Sequence, residues 1–321
     1  MIKQVFVLVC LMLANLVCMS QRLQWNGFKL TEENDFLSLT QRGLDRYYTQ
    51  GLQFEFCYTT QRPKFLEKIL IPASSRARNQ YSISIGQQIF TPRITNKQPS
   101  EFTGVDMPYA GNLYIKQQLN SYDSTKRMRF TSAFLLGMVG PISLGEHTQA
   151  FFHKIIKNNP AVGWATQIPN DVLINYSFRV EKKITQLNLF ALEAKAEAKA
   201  GTLLISGAAG LNLKLGNWQK SDQFSWEVFF LPEVRAVAYN ALLQGGIINR
   251  LSGGNAQTPY FLNEIKPVVY THSTGFQVRY KRFELLYRQV NITREFSGQL
   301  PHYYGSATLT FWFRGHSPFS W

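Results

Sequence analysis

The sequence predicts an all-β protein: a 12-stranded antiparallel transmembrane β-barrel with a short helix in an extracellular loop. Apolar and polar residues alternate with a period of two along segments of about ten residues, as barrel strands require. Turn residues separate these segments, and aromatic residues make up 14% of the chain, which suits the aromatic girdles of membrane barrels. After residue 20 no apolar run reaches the roughly 20 residues of a membrane-spanning helix.

The first 20 residues are typical of a secretory signal peptide. Lys3 gives the positive start, Val5 to Leu13 form the apolar centre, and Ser20 is a small residue at the expected cleavage point. We therefore expect residues 1–20 to be removed and residues 21–321 to form one outer-membrane barrel domain.

Cysteine usage argues against a disulfide-stabilised fold. Cys10 and Cys18 lie in the expected signal peptide, so Cys57 alone would remain in the mature chain. Its neighbours alternate as in a strand, and a small strand residue is a better interpretation than a nucleophile.

In two segments the alternation places charge on one strand face only. In TQGLQFEFCY the apolar residues Phe54 and Phe56 oppose Glu55, and in ALEAKAEAKA the alanines oppose Glu193, Lys195 and Glu197. Such charges are tolerated in a polar lumen but are very unfavourable against lipid. A soluble β-sandwich is the alternative, although its strands are usually shorter.

Twelve segments have this pattern, an even number, as in bacterial single-chain barrels. We predict strands at 23–33, 49–60, 80–90, 109–120, 127–139, 171–184, 186–198, 202–216, 224–239, 266–280, 282–294 and 303–314. The connection 61–79 contains FLEKILIP, which indicates a short amphipathic helix that contacts the membrane surface or packs on the barrel.

One connection has a helical pattern instead. In GEHTQAFFHKI, a spacing of about 100° per residue puts Glu146, Gln149 and His153 on one face. Ser143 and Glu146 have the spacing of a capping box, which predicts that the helix begins there. A helix that plugs the barrel through ordinary polar contacts remains the alternative to a catalytic role.

Strand parity gathers polar residues at one rim. If both termini are periplasmic, every connection after an odd-numbered strand lies outside the cell. Asn34 and Asp35 end the first strand, Thr49 begins the second, Lys97 follows the third, and the helical connection 140–170 follows the fifth.

These residue types support ester hydrolysis by water. A histidine removes a proton from water near neutral pH, and Asn and Asp offer the oxygen ligands that Ca²⁺ prefers. A metal ion can polarise an ester carbonyl, and a lysine can hold a phosphate. There is no GxSxG sequence, which weakens a serine-hydrolase interpretation.

The formal net charge of +14 favours an anionic partner. Lipid headgroups and lipopolysaccharide phosphates fit a secreted barrel, whereas nucleic acid does not. No feature of the sequence indicates a protein partner.

The chain resembles the outer-membrane lipid A 3′-O-deacylases along most of its mature length. The resemblance rests on the order and spacing of several short motifs. They are ENDF (33–36), DRYYTQG (45–51), GQQIFTP with ITNK (86–97), PYAG (108–111), GMVGPISLGEHTQAFFHKI (137–155) and GWATQI (163–168).

The resemblance implies a 12-stranded barrel and Ca²⁺-dependent hydrolysis of the 3′-linked acyloxyacyl ester of lipid A in the outer leaflet. It implies that His153 is the general base and that Gln149 orients this histidine or the substrate. Asn34 and Asp35 are expected near the calcium ion and the oxyanion, with Asp35 the best single ligand. Thr49 and Lys97 complete the implied catalytic set.

The sequence departs from the family pattern in three places. The connection 61–79 is longer than a minimal turn, the tail after Phe313 extends past the last strand, and Met107 stands where a basic residue is expected. Two rival functions stay open: a non-enzymatic small porin-like barrel, and an outer-membrane phospholipase or other lipid esterase.

Overall fold

A closed antiparallel barrel of twelve strands dominates the computed structural model, which describes residues 23–40, 46–93, 95, 106–157, 159–217, 224–251 and 264–313. Each strand pairs with its chain neighbours, and β1 closes the sheet against β12. The predicted fold class and strand number are confirmed, with strand ends within a few residues of those predicted. The strands are β1 Gln24–Asn34, β2 Tyr47–Thr59, β3 Arg78–Thr91, β4 Ala110–Asp123, β5 Met128–Val139, β6 Asp171–Gln186, β7 Phe190–Gly201, β8 Leu204–Gly216, β9 Phe224–Asn240, β10 Val268–Tyr280, β11 Phe283–Ile292 and β12 His302–Trp312.

Short helices occur only in the connections of the described chain. They are α1 Phe65–Lys68, α2 Gly145–Ile156, α3 Ala241–Gln244 and α4 Ile247–Leu251, with single 3-10 turns at Asp35–Leu37, Pro141–Ser143 and Trp164–Thr166. Both predicted helices, in the connections 61–79 and 140–170, are therefore present. Across the described ranges, no helix combines the length and the apolar character needed to cross a membrane.

The barrel has two unequal rims. Connections after odd-numbered strands form what we call the loop rim: 35–46, 92–109, 140–170, 202–203, 241–267 and 293–301. Connections after even-numbered strands form the turn rim: 60–77, 124–127, 187–189, 217–223 and 281–282. The first of these, 60–77, is much longer than the other turn-rim connections.

The outer wall is apolar, because alternate residues of each strand point away from the lumen. Large apolar side chains on this wall are exposed around the barrel, although strand residues in a soluble protein would bury them. They include Phe54, Ile85, Ile115, Leu136, Ile174, Leu213, Phe230, Leu285 and Leu309. Such a belt is typical of a surface that faces lipid.

Ion pairs line the lumen. Lys195 Nζ lies 2.6 Å from Glu233 Oε2, and Arg235 Nη2 lies 2.8 Å from the other oxygen of the same carboxylate. Arg179 pairs with Glu197 at 2.8 Å in the same way. The charges predicted to oppose the alanines of β7 therefore face the lumen, where they border a cavity of about 690 Å³.

Cys57 also has an ordinary structural role. Its side chain is buried in β2, and its Sγ lies 3.6 Å from Glu55 Oε1. The structure agrees with a small strand residue rather than a reactive thiol.

Apolar residues close the lumen at the loop rim. Tyr47, Met107, Leu243 and Phe296 form one buried cluster, contributed by four different connections or strand ends. A second cluster packs beside it and consists of Ala110, Val139, Ile168, Leu173 and Leu242. This packing separates the polar lumen from the loop rim.

The lumen ion pairs predict a large stability effect. Glu233→Ala removes the carboxylate shared by Lys195 and Arg235, and we expect it to destabilise the barrel by about 3 kcal/mol. Lys195 then loses its ion-pair partner in a confined space, and Arg235 keeps only its longer contact with Glu197. Heating the purified variant and following the loss of the compact band on an SDS gel measures the effect. Glu146→Ala, at an exposed carboxylate on α2, is the matched control and should melt with the wild type. If both variants lose the compact band at the same temperature as the wild type, the lumen pairs contribute no stability.

Candidate active site

The end of β1 carries the predicted Asn-Asp pair. Asn34 lies on the outward face of the wall, and its Oδ1 accepts a hydrogen bond from Phe36 N at 2.8 Å, which starts the 3-10 turn. Asp35 is 5% exposed, and its Oδ2 accepts from Arg46 N at 3.2 Å. Hydrogen bonds thus hold both oxygen-bearing side chains at the loop rim.

A bulge turns Thr49 onto the same wall. The register of β2 against β3 shifts between Tyr48 and Gln50, so one extra residue is accommodated at Thr49. The Oγ1 atoms of Thr49 and Thr91 lie 2.7 Å apart, and both residues are buried. The bulge therefore fixes the position of this threonine beside the end of β3.

Strand register aligns the site across four strands. Asn34 is the Cα partner of Gln50, Gln50 of Ile89, and Ile89 of Gly111. Neighbouring strands lie about 4.8 Å apart, so this row is roughly 15 Å wide. One edge carries the Asn-Asp pair, and the other edge lies beneath the start of α2.

Glu32 is a site residue that the sequence reasoning missed. It lies on the outward face two residues before Asn34, and the side chains of Asn34 and Gln50 both hydrogen-bond its carboxylate. An acidic residue at an outward position of a membrane strand is unusual, because charge facing lipid is costly. That irregularity in the alternation was the signal available in the sequence.

Two glycines let α2 approach the barrel wall. A Cβ at Gly111 would lie 2.3 Å from Ser143 Oγ and 3.2 Å from Gly145 Cα. Gln87, which also faces outward, donates from Nε2 to the carbonyl of Ser143 at 2.6 Å. The helix therefore lies outside the barrel, against β3 and β4, and does not plug the lumen.

The orientation of α2 corrects part of the sequence prediction. Gln149 and His153 share one buried face of the helix, as predicted, but Glu146 is exposed. The predicted capping box is also wrong. The helix begins after Leu144, which has φ 60°, and Ser143 Oγ donates to Gly140 O instead.

Gln149 is held by an indole. Trp164 Nε1 donates to Gln149 Oε1 at 2.7 Å, and Trp164 itself packs on Tyr109 with ring centroids 5.1 Å apart. Gly163 allows this contact, since a Cβ there would lie 2.2 Å from the Tyr109 ring. The PYAG and GWATQI motifs thus form one packing unit behind α2.

The imidazole of His153 has a defined hydrogen-bonding state. Its Nδ1 lies 2.6 Å from the carbonyl oxygen of Asn159, and a carbonyl oxygen only accepts. Nδ1 must therefore carry a hydrogen, and in the neutral ring Nε2 carries the lone pair. The ring is 6% exposed and is suited to accept a proton at Nε2.

The opposite face of α2 is apolar and exposed. Phe151 and Ile155 are about 60% exposed, and Leu144 precedes them on the same side. His147 is exposed as well and has no role in the buried face. The helix thus combines a polar face toward the wall with an apolar face suited to lipid.

The connection 92–109 contains two positions that the sequence singled out. Lys97 lies outside the described residues. Met107 is buried in the apolar cluster that closes the lumen, so the loss of a basic residue there has a packing explanation.

Candidate oxygen ligands for a metal lie at the β1–β2 corner. No group of three or more His, Cys, Asp or Glu side chains gathers at one point in the described ranges. Ca²⁺ also accepts amide, hydroxyl and backbone oxygens, and Glu32, Asn34, Asp35 and Thr49 supply two carboxylates and two neutral oxygens. The chemistry of this donor set fits calcium.

The fold and the site together define a membrane β-barrel with buried polar residues and a docked helix on its outer wall. The family model of outer membrane protein LpxR matches residues 5–313. This chain belongs to the LpxR family of outer-membrane proteins, which confirms the family that the motifs indicated.

A solved structure from Salmonella typhimurium shows the same fold. LpxR from Salmonella typhimurium is similar with a TM-score of 0.72 and 22% identity, covering 89% of this chain and all of that one. The β domain of the Bordetella autotransporter BrkA has a TM-score of 0.45 and 8% identity, covering 90% of this chain and 98% of that one. A comparison with curated proteins finds no match.

The contact between α2 and the wall can be tested directly. Gly111→Val should displace the start of α2, because the added carbons overlap Ser143 and Gly145. Hydrogen exchange measured by mass spectrometry should then be at least about tenfold faster in α2 than in the wild type. Gly207→Val is the matched control, since a Cβ at that strand glycine meets nothing within 4 Å. Unchanged exchange in the Gly111 variant would contradict the docking geometry.

Proposed function

We propose that this protein is a Ca²⁺-dependent esterase of the outer membrane that hydrolyses the 3′-linked acyloxyacyl chain of lipid A. The observation that carries the proposal is the His153 imidazole, whose Nδ1–H is held by the Asn159 carbonyl. In this tautomer Nε2 is the basic nitrogen of a ring on the buried face of α2, the helix that packs against the lipid-facing wall. Membership of the LpxR family and the motif resemblance support the choice of substrate.

His153 acts on water in this proposal. Nε2 removes a proton as the water oxygen attacks the ester carbonyl carbon, and the Asn159 carbonyl stabilises the charged imidazolium. The ester C–O bond then breaks, and the departing alcohol oxygen takes the proton back from Nε2. The products are one carboxylic acid and one sugar hydroxyl, and the histidine returns to its starting state.

Residues at the β1–β2 corner would hold the metal ion that acts on the ester carbonyl. A calcium ion held there would polarise the ester carbonyl and stabilise negative charge on its oxygen. Asp35 and Asn34 are the proposed ligands, with Glu32 and the Thr49 hydroxyl beside them. Hydrogen bonds to Arg46 N and Phe36 N hold Asp35 and Asn34 in position, so their oxygens need little rearrangement on binding.

Gln149 and Lys97 have positioning roles. The bond from Trp164 fixes the Gln149 side chain one helical turn before His153, which keeps that face of α2 against the barrel wall. For Lys97 we retain the expectation that its ammonium holds a phosphate of the substrate.

The loop rim faces the outer leaflet in this proposal. Lipid A is confined to that leaflet, and a site on the outer wall reaches a lipid without passing it through the lumen. The exposed Phe151 and Ile155 side chains of α2 are suited to contact with acyl chains at this height.

The closed lumen favours an enzyme over a porin. Two apolar clusters separate the lumen from the loop rim, and ion pairs occupy the space below them. A porin needs a continuous aqueous path along its axis. An esterase on the wall has no such requirement.

His153→Ala is the first test of the reaction. We expect hydrolysis to fall by about 10²–10⁴, because the sole general base is lost. Mass spectra of lipid A from cells expressing each protein measure the result, and only the wild type should remove a mass that corresponds to an acyloxyacyl group. His147→Ala, on the exposed side of the same helix, is the control and should behave like the wild type.

Three outcomes separate the alternatives. Near-normal activity in His153→Ala would refute the base assignment. Unchanged lipid A beside released phospholipid fatty acids would indicate a phospholipase. No hydrolysis of either lipid by the correctly inserted wild type would indicate a non-enzymatic barrel.

Calcium dependence has a separate test. Asp35→Asn removes one negative charge from the proposed ligand set, so the calcium concentration for half-maximal rate should rise at least about tenfold. The rate is measured on purified protein over a calcium titration. Glu264→Gln removes a similar charge from an exposed position of the loop rim and should leave the titration unchanged. If Asp35→Asn leaves it unchanged too, the metal lies elsewhere.

A further inference from the structure

The connection 60–77, which we call the strap, lies on the outside of the barrel at the turn rim. The residues of β4 and β5 that line the barrel lumen include Gln118, Asn120, Thr131 and Ala133. Side chains alternate along a strand, so Ser121 and Ser132 face outward. Ile71 N bonds to Ser132 Oγ at 2.9 Å, and Ala73 N bonds to Ser121 Oγ at 2.9 Å. The strap therefore covers part of the wall that would otherwise face lipid.

Polar groups of the wall satisfy the strap backbone. Tyr176, on the outward face of β6, donates from its hydroxyl to the carbonyl of Ile69 at 2.9 Å. Outward serines are unfavourable against hydrocarbon, yet here they pair with backbone groups that lipid could not satisfy. The wall and the strap are thus complementary, and the strap has a fixed position.

The only acidic residue of the strap is engaged in this interface. Glu67 is 5% exposed, and Tyr58 OH donates to its Oε1 at 2.8 Å while Gln117 Nε2 donates to that hydroxyl at 2.9 Å. Leu70 packs beside it in a buried cluster with Tyr58, Tyr81 and Leu119. The buried side of the strap therefore contains both its carboxylate and its central leucine.

The exposed side has the opposite composition. Phe65 is 77% exposed, and Leu66, Ile69 and Ile71 are between 36% and 47% exposed. The charged side chains on this side are all basic: Arg62, Lys64, Lys68 and Arg76. The adjacent turn 124–127 adds the exposed Lys126 and Arg127.

We propose that the strap is an interfacial lipid-binding element that takes anionic phospholipid from the leaflet at the turn rim. Its apolar side chains enter the acyl region while its basic side chains pair with the headgroup phosphates, as in amphipathic segments that lie in a membrane interface. An uncharged interface would explain the isoleucines but not the exclusive choice of basic groups beside them. The proposal is independent of ester chemistry. With the loop rim facing the outer leaflet, as proposed above, the leaflet at the turn rim is the inner one.

A fluorescent label tests the depth of the strap. Phe65→Cys labelled with an environment-sensitive maleimide dye is reconstituted in phosphatidylglycerol and phosphatidylethanolamine vesicles, and Cys57 is too buried to react. We expect blue-shifted emission that nitroxide-labelled lipids quench at least about threefold more strongly than at Lys126→Cys, a control in the neighbouring turn. Equal emission and quenching at the two sites would overturn the membrane contact.

A charge series tests the lipid class. Native mass spectrometry of full-length protein equilibrated with both lipids should show phosphatidylglycerol retained by the wild type and reduced at least about fivefold in the Arg62→Gln, Lys64→Gln, Lys68→Gln triple variant. The control carries Arg93→Gln, Lys266→Gln and Arg294→Gln, three exposed basic residues of the loop rim, and should retain the lipid. Equal retention by both triple variants, or no preference for the anionic lipid in the wild type, would overturn the proposal. Lipid A hydrolysis should continue in the strap variant, so failure here and failure of the esterase proposal are distinguishable.

Discussion

Every backbone N–H and C=O group inside a bilayer must be paired within the protein, and most of this structure follows from that requirement. Twelve strands satisfy it by closing on one another, since β1 pairs with β12 and no edge remains. The irregular backbone that touches the wall obeys the same rule through strand side chains. Gln87 bonds the carbonyl that precedes α2, and Ser132 bonds the strap. Polar residues on a lipid-facing wall therefore mark the places where other segments dock.

This distribution separates scaffold from function. The lumen is lined by paired charges such as Lys195 and Glu233, which link β7 to β9 across β8. The residues proposed for catalysis lie on the outer wall. Asn34 and Gln50 are register partners there, and α2 packs against β3 and β4 on the other side of this row. A substrate that is itself a membrane lipid reaches that wall by lateral diffusion. In the proposed function, a barrel with a blocked lumen is therefore suited to act on lipids of the surrounding membrane.

Much of the fold was readable because the period of two is a direct consequence of strand geometry. The face of α2 that carries Gln149 and His153 was also predictable from helical spacing. The start of that helix was not, since it is set by the approach of Gly145 to Gly111 rather than by a local cap. The bulge at Thr49 and the part played by Glu32 depend on pairing between strands, which a single sequence does not display. Long-range register, rather than local propensity, thus decided the details of the site.

The strap also has a temporal consequence. Its partners Ser132 and Tyr176 lie 61 and 107 residues further along the chain than the strap residues they bind. Contacts between segments so distant in sequence form late, after the loop closures that bring them together. The strap cannot complete its interface until β6 has joined the growing sheet, although β2 and β3 on either side of it pair with each other early. A docked strap therefore shows that the sheet has assembled at least as far as β6.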